Sequence, residues 1–314
     1  MTPSGPTAVI DVGTNTVRLL VAELDAGHPH VLAEFGEVTS LGTALVSTGR
    51  IDPTDAERTG TCLAEAVTRA RGAGVPDPDV VGTEVFRKAG NGREVAEWLG
   101  ARCGATLRIL TPAEEADGSY LGAVAWGNPT MTGDLAVLDI GGGSTELIRG
   151  HGMSRQGSMS LPIGALVATE RWLKADPPGQ TGLPEIRRAL AAELSPLAGL
   201  TGMGRGAAVT VLGVGGSACS VAAWIGGIRP YVATRVHGRS IERSRLAGAI
   251  DEMADLTVAE RAERAGIGLG RARVILGGTL VLEAALFAID ADAVVASTFG
   301  LRHGLIRKAW QPDL

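Results

Sequence analysis

The sequence predicts an α/β protein of two lobes, and three observations carry that expectation. Short apolar runs of strand length alternate with longer amphipathic stretches of helical period. A strand, glycine turn, strand plan opens twice, at Asp11-Val-Gly-Thr-Asn-Thr16 and at Asp139-Ile-Gly-Gly-Gly-Ser-Thr-Glu146. The length of 314 residues, 45% of them hydrophobic and 20% charged, supplies ample core for two domains.

The elements follow in order. Val9–Ile10 and Arg18–Glu23 flank the first glycine turn as a hairpin, and Val31 to Val38 supplies a third strand. A helix is expected from Pro53 to Arg71, with Leu63, Ala66, Val67 and Ala70 on one face and glycines at 72 and 74 ending it. Val80–Val81 is a strand, which Arg87 follows; Asn91 is placed to cap a helix whose third residue is Glu94, and Leu107 to Leu110 is the next strand. Thr111-Pro-Ala-Glu114 reads as a capping box opening a helix through Val124. Gly127-Asn-Pro-Thr and Gly133-Asp134 read as a linker.

The plan then repeats. Strands are expected at Leu135 to Ile140, Glu146 to Ile148 and Met153 to Ser160, and helices at Ala165 to Leu173 and Pro184 to Leu200. Ala208 to Val214 forms a strand leading into a third glycine turn, Gly213-Val-Gly-Gly-Ser217, and a helix to Ile225. Helical periodicity resumes at Ile241 to Asp255 and Arg271 to Phe287, with a strand at Ala293 to Ala296 and a last helix from Gly300 to Trp310.

Each of the two repeated glycine turns follows a strand that ends in an aspartate, and a small hydroxyl residue completes it. Such a turn lets backbone N–H groups approach an anion closely, so Gly13, Thr14 and Asn15 on one side, and Gly141, Gly142, Gly143, Ser144 and Thr145 on the other, are candidate phosphate ligands. Gly215, Gly216 and Ser217 form a third candidate at a helix N-terminus.

Composition narrows the function classes. The net charge of −5 excludes a nucleic-acid module that binds through bulk positive charge. The cysteines at 62, 103 and 219 are isolated, with no CxxC spacing for zinc and no disulfide framework. The apolar stretch Ala8 to Ala22 is interrupted by Asp11, Asn15 and Arg18, which does not fit a signal peptide or a membrane span and leaves a cytoplasmic location as the expectation. Ser144 and Ser217 have no adjacent base in the sequence, which weighs against a covalent serine mechanism, and the five histidines lack ligand spacing.

Five segments carry a resemblance: Asp11-Val-Gly-Thr-Asn-Thr16, Gly82-Thr-Glu-Val-Phe-Arg87 with Asn91, Glu114-Glu-Ala116, Leu138-Asp-Ile-Gly-Gly-Gly-Ser-Thr-Glu146 and Leu301-Arg-His-Gly304. In that order they resemble the motifs of the exopolyphosphatase and guanosine pentaphosphate phosphatase family (Ppx/GppA), in its short, two-domain form. The resemblance implies two ribonuclease-H-like (actin-like ATPase) domains with an interdomain cleft. It places residues 1–126 plus 300–314 in one domain and residues 127–299 in the other, and implies a homodimer. It implies hydrolysis of the terminal phosphate of inorganic polyphosphate, with guanosine pentaphosphate as the alternative substrate. Glu114 is taken up by the capping box, and the resemblance puts the catalytic glutamate on Glu115, as the general base for direct water attack. Glu146 orients the water or a hydrated metal, Arg87 grips phosphate, and magnesium is expected on Asp139 and Asp11, since that ion takes one or two carboxylates plus phosphate oxygens. Arg302 is expected in a packing role. Two rival classes remain: an ATP-dependent kinase of the same superfamily using Gly277-Gly278, and a non-catalytic sensor.

Overall fold

The computed structural model describes residues 5–25, 28–126, 133–201 and 209–311. The chain divides into two compact units, Met1–Pro129 with Phe299–Leu314, and Thr130–Thr298. The linker expected at Gly127 to Thr130 lies outside the described residues, as does Ala208.

The first unit opens with β1 (Thr7–Val12), β2 (Thr16–Asp25) and β3 (His28–Val38), followed by a short helix α1 (Leu45–Thr48) and α2 (Pro53–Gly72). Then come β4 (Asp79–Gly82), α3 (Glu84–Lys88), α4 (Gly92–Cys103), β5 (Leu107–Ile109) and α5 (Pro112–Ala125). Its five strands lie in the order β3-β2-β1-β4-β5. The first three run antiparallel, and β4 and β5 run parallel to β1. Period-two alternation sends Ile10 and Val12 to one face of the sheet, where they pack with Leu63, Ala66, Val67 and Leu99 of α2 and α4. Val9, Leu20 and Val81 pack on the other face.

The second unit contains β6 (Asp134–Ile140), β7 (Thr145–His151), β8 (Ser154–Leu161), α6 (Ala165–Trp172), α7 (Leu183–Leu194), a 3-10 turn over Ser195–Leu197, α8 (Ala198–Thr201), β9 (Thr210–Val214) and α9 (Gly215–Ile225). It continues through α10 (Ala233–Val236), β10 (Ser240–Glu242), α11 (Arg243–Ala254), α12 (Val258–Ala265), α13 (Leu269–Ala288) and β11 (Ala293–Ala296). Strand order is β10-β11-β9-β6-β7-β8, with β6, β7 and β8 antiparallel and β9 and β11 parallel to β6. Both units therefore join an antiparallel three-strand meander to parallel strands, which is the actin-like, ribonuclease-H-like plan.

The last helix, α14 (Leu301–Trp310), belongs to the first unit, where Leu305, Ile306 and Trp310 cover Val9, Leu20 and Val81. It crosses α5 at very close range. A Cβ on Gly122 would lie 2.0 Å from the Gly300 oxygen, and one on Gly304 only 1.9 Å from the Gly118 oxygen, so this contact admits only glycine.

Several expectations need correction. The helix expected over Pro184 to Leu200 breaks at Ser195, because Pro196 has no N–H to donate and its ring obstructs the preceding turn. The helix expected from Ile241 starts at Arg243, since Ile241 sits in the short strand β10. The strand expected at Val80–Val81 is found within β4, which stops at Gly82 before a helical turn begins at Glu84, and the Phe86 ring lies so close over Gly82 that a Cβ there would be 2.6 Å from it. Among the described residues no single helix is long and apolar enough to cross a membrane. The three cysteines are free and buried.

Candidate active site

In the first unit the turn between β1 and β2 is closed by the Gly13 N–H donating to the Thr16 oxygen at 2.9 Å. The segment after β3 braces it: Thr39 and Ser40 N–H groups donate to the Asn15 oxygen at 3.0 and 3.1 Å, and Gly42 N–H to the Thr14 oxygen at 2.8 Å. Ser40 holds a left-handed φ of 54° and donates its hydroxyl to Asn15 Oδ1. Gly13 has no such strain, and a Cβ there would meet the Thr16 oxygen at an ordinary 3.5 Å. Neither backbone conformation nor crowding within the chain demands glycine at 13.

Asp11 is the penultimate residue of β1, with Arg18 opposite it across the hairpin and Val81 on its other side. Arg302, 6% exposed, donates from Nη1 to the Leu19 oxygen at 2.6 Å, and its Nη2 lies 3.7 Å from Glu34 Oε1. Burial lowers its guanidinium to about 9, and the positive charge of Arg18 pushes the same way, opposed by Glu34 and Asp11. The packing role expected for Arg302 is the one found.

At the start of α5 the Thr111 hydroxyl accepts from the Glu114 N–H, and Glu114 Oε2 accepts from the Thr111 N–H at 2.8 Å, completing the capping box. Bonds from the Thr111 backbone and hydroxyl hold the Glu114 carboxyl below its usual range. Glu115 is thereby left for other work. Its side chain is 14% exposed, and Arg87 Nη2 donates to its Oε2 at 2.8 Å while Arg87 Nη1 donates to the Leu110 oxygen at 2.7 Å. Arg87 thus lies on α3 and grips the candidate base, where the sequence placed it at a strand end gripping phosphate. Asn91 occupies the N-cap position of α4 but makes no capping bond, because its carboxamide clamps Ile51 instead: Oδ1 accepts from Ile51 N–H at 2.9 Å and Nδ2 donates to the Ile51 oxygen at 3.0 Å.

In the second unit the matching turn is closed by Gly141 N–H donating to the Ser144 oxygen at 3.0 Å. Helix α6 docks on it, Ala165 N–H donating to the Gly141 oxygen and Leu166 and Val167 N–H to that of Gly142. The Gly141 and Gly13 N–H groups are therefore committed to their own turns, a correction to the expectation that they face phosphate. The N–H groups of Gly142, Gly143 and Ser144 stay outside the turn's own hydrogen bonding among the described residues. Thr145 is fully buried, and its hydroxyl donates to the Ile163 oxygen at 2.5 Å, so that hydroxyl anchors the loop and does not face a ligand.

Asp139 on β6 pairs in register with Glu146 on β7. Two carboxylates thus stand side by side at the mouth of the turn. Glu146 is 7% exposed and accepts from the Ser160 hydroxyl at 2.7 Å, so it is a largely buried carboxylate and not a solvated strand acid. Like charges directly opposite each other are costly, and a cation between them relieves the cost. Magnesium takes one or two carboxylates with phosphate oxygens and water, and this pair matches that demand. Among the described residues no group of three or more metal-ligating side chains is found.

The third turn is built differently. Gly215, at a left-handed φ of 81°, lets the backbone approach Asp139, whose Oδ1 would lie 2.9 Å from a Cβ at that position. The guanidinium of Arg271 lies across Gly216, 2.2 Å from where a Cβ would be, and sequence reading missed it because α13 reads as an apolar helix. Ser217 turns inward and donates to the Ile140 oxygen at 3.1 Å. This turn therefore positions Asp139 and Arg271, and the Ser217 hydroxyl is not presented to phosphate. Gly277 and Gly278, the glycines of the kinase reading, are packing positions: a Cβ on Gly277 would lie 2.4 Å from Thr169 Oγ1 and one on Gly278 would lie 2.7 Å from Ser217 Oγ.

Comparison with known proteins fits this arrangement. A family model described as the Ppx/GppA phosphatase family matches residues 20–311. This chain belongs to that family. It is 32% identical over 307 residues to exopolyphosphatase 1 of Mycobacterium leprae, covering 95% of this chain and 87% of the relative. It is 33% identical over 291 residues to exopolyphosphatase 2 of Mycobacterium tuberculosis, covering 88% of each. Among solved structures, the Aquifex aeolicus member of the Ppx/GppA family superposes with a TM-score of 0.79 at 31% identity, covering 99% of this chain and 100% of that one.

Proposed function

We propose that this chain is an exopolyphosphatase that hydrolyses the terminal phosphoanhydride of inorganic polyphosphate by direct attack of water. The observation that carries the proposal is the side-by-side pair Asp139 and Glu146 at a glycine turn whose Gly142, Gly143 and Ser144 N–H groups remain available to an anion. Relatives named exopolyphosphatases support the substrate class.

Asp139 and Glu146 are the residues that would hold magnesium, which when bound neutralises charge on the phosphate oxygens. The backbone donors of the turn grip the same oxygens, and the glycine at 13 leaves room for phosphate at the first turn. Glu115 takes the proton from the attacking water, and Arg87 fixes the orientation of that carboxylate. Phosphoryl transfer needs chiefly positioning and charge stabilisation, so these groups suffice without a covalent intermediate.

Guanosine pentaphosphate presents a phosphoanhydride terminal bond of the same kind, and the matching family is named for both Ppx and GppA. Orthophosphate release from polyphosphate and from guanosine pentaphosphate, each with magnesium, tests the proposal. Faster release from polyphosphate is expected, and release from guanosine pentaphosphate alone would replace the substrate.

A further inference from the structure

We infer that Ser160 is a positioning residue for Glu146, an inference that rests on the role of Glu146 proposed above. Glu146 has one cross-strand neighbour on each side: Asp139 on β6 and Ser160 on β8. The first repels it. A glutamate with three side-chain torsions, facing a like charge, gains by rotating away, and a rotated Glu146 no longer shares a ligand with Asp139. Ser160 opposes that rotation, because its hydroxyl donates to Glu146 Oε1 at 2.7 Å.

The place of Ser160 in the fold separates this role from a structural one. Strand β8 is the edge of its sheet, and its residues alternate between exposed positions, Ser154, Gln156, Ser158 and Ser160, and partly covered ones. Ser160 is exposed on an edge strand and fills no core volume, so its removal leaves no cavity, and the bond it loses is the one to the Glu146 carboxylate. The neighbouring serine of the same face, Ser158, pairs in register with Ile148, an apolar residue that gives its hydroxyl nothing to orient. Ser160 meets the carboxylate because it lies two residues further along, level with the glycine turn. It acts through Glu146 and is not placed as a nucleophile.

The test measures kcat and KM for orthophosphate release from polyphosphate with magnesium in the wild type, Ser160→Ala, Ser160→Thr, Glu146→Gln and the Ser160→Ala/Glu146→Gln double variant. Loss of a hydrogen bond to a charged group predicts that Ser160→Ala lowers kcat about tenfold to a hundredfold with KM changed less than about twofold and the melting temperature unchanged. Ser160→Thr, which keeps the hydroxyl, restores kcat to within about fivefold of wild type. In the Glu146→Gln background the serine change adds no further loss, because the group it orients is gone. The inference is overturned if Ser160→Ala keeps wild-type kcat, or if its effect multiplies undiminished in the double variant. If Glu146→Gln itself turns over like wild type, the role of Glu146 fails and the inference falls with it. A depleted Glu146→Gln beside an unaffected Ser160→Ala sinks only the inference.

Discussion

The two units set an aspartate at the same point of the same hairpin and give it opposite partners. Asp11 faces Arg18, whereas Asp139 faces Glu146. One scaffold therefore sets an acid opposite a base in the first unit, with the buried Arg302 close enough to feel both, and two acids opposite each other in the second. The difference teaches that a strand-end aspartate beside a glycine turn acquires its electrostatic setting from the residue across the hairpin. In the function proposed above, Asp139 and Glu146 would hold magnesium, and Glu115, oriented by Arg87, would be the base.

The largest effect is expected at the base. Glu115→Gln should lower kcat by about 10²–10⁴ while polyphosphate binding persists, as measured by phosphate release alongside calorimetric titration. A Glu115→Gln enzyme with wild-type turnover would leave the first unit without a chemical role.

The comparison itself is sharpened by paired neutralisations. Asp139→Asn should lower kcat/KM by about 10²–10³ and raise the magnesium concentration needed for half-maximal rate. Asp11→Asn, which removes an acid that stands opposite a base, should cost less than about tenfold and leave the magnesium requirement near that of the wild type. Equal losses from the two changes would break the asymmetry.

Glycines of the first unit allow a second contrast. Gly122→Ala drives a methyl into the Gly300 carbonyl across the α5–α14 contact, and overpacking of that kind should cost about 1–3 kcal/mol or more in unfolding free energy. Gly13→Ala meets only ordinary contacts, so it should melt like the wild type while its KM for polyphosphate rises. Denaturant unfolding and steady-state kinetics on the two variants separate a glycine kept for packing from one kept for a ligand.

The smallest effect concerns acid stability. Glu114 in the first unit and Glu260 in the second complete equivalent capping boxes, and hydrogen bonds to the N-cap threonine hold both carboxyls below 4.5 when folded. Their unfolded forms take up protons first as pH falls. The stability they add is thus present above the unfolded carboxylate pKa and disappears as pH drops through the lower folded values. Thr111→Ala and Thr257→Ala should each flatten that acid limb slightly in melts followed across pH 3 to 6, a range set by ordinary carboxylate titration near about 4.

Much of this was legible in sequence where local chemistry is strong. The capping box at Thr111 and Glu114 is found as read, and with Glu114 committed there the next acid was free for another role. The two hairpins with glycine turns also follow the alternation and turn signals closely. What escaped depends on contacts distant in the chain. The Arg87–Glu115 pair joins α3 to α5, and the clamp of Asn91 on Ile51 spans 40 positions, so neither has a local signature. Thr145 and Ser217 look identical to ligand-facing hydroxyls until the carbonyls of Ile163 and Ile140 are in place. Helix α12 was missed although Thr257 and Glu260 form a capping box, because no apolar run follows them. The charge contrast between Arg18 and Glu146 was present in the sequence, but only the strand register gives it meaning.

The most direct test of the central claim is orthophosphate release from polyphosphate of defined length, in the presence of magnesium, by the wild type beside Glu115→Gln and Glu146→Gln. Steady release by the wild type with shortening of the polymer from its end, and near-background release by both variants, is the predicted result. No release by the wild type, or equal release by all three proteins, would contradict it.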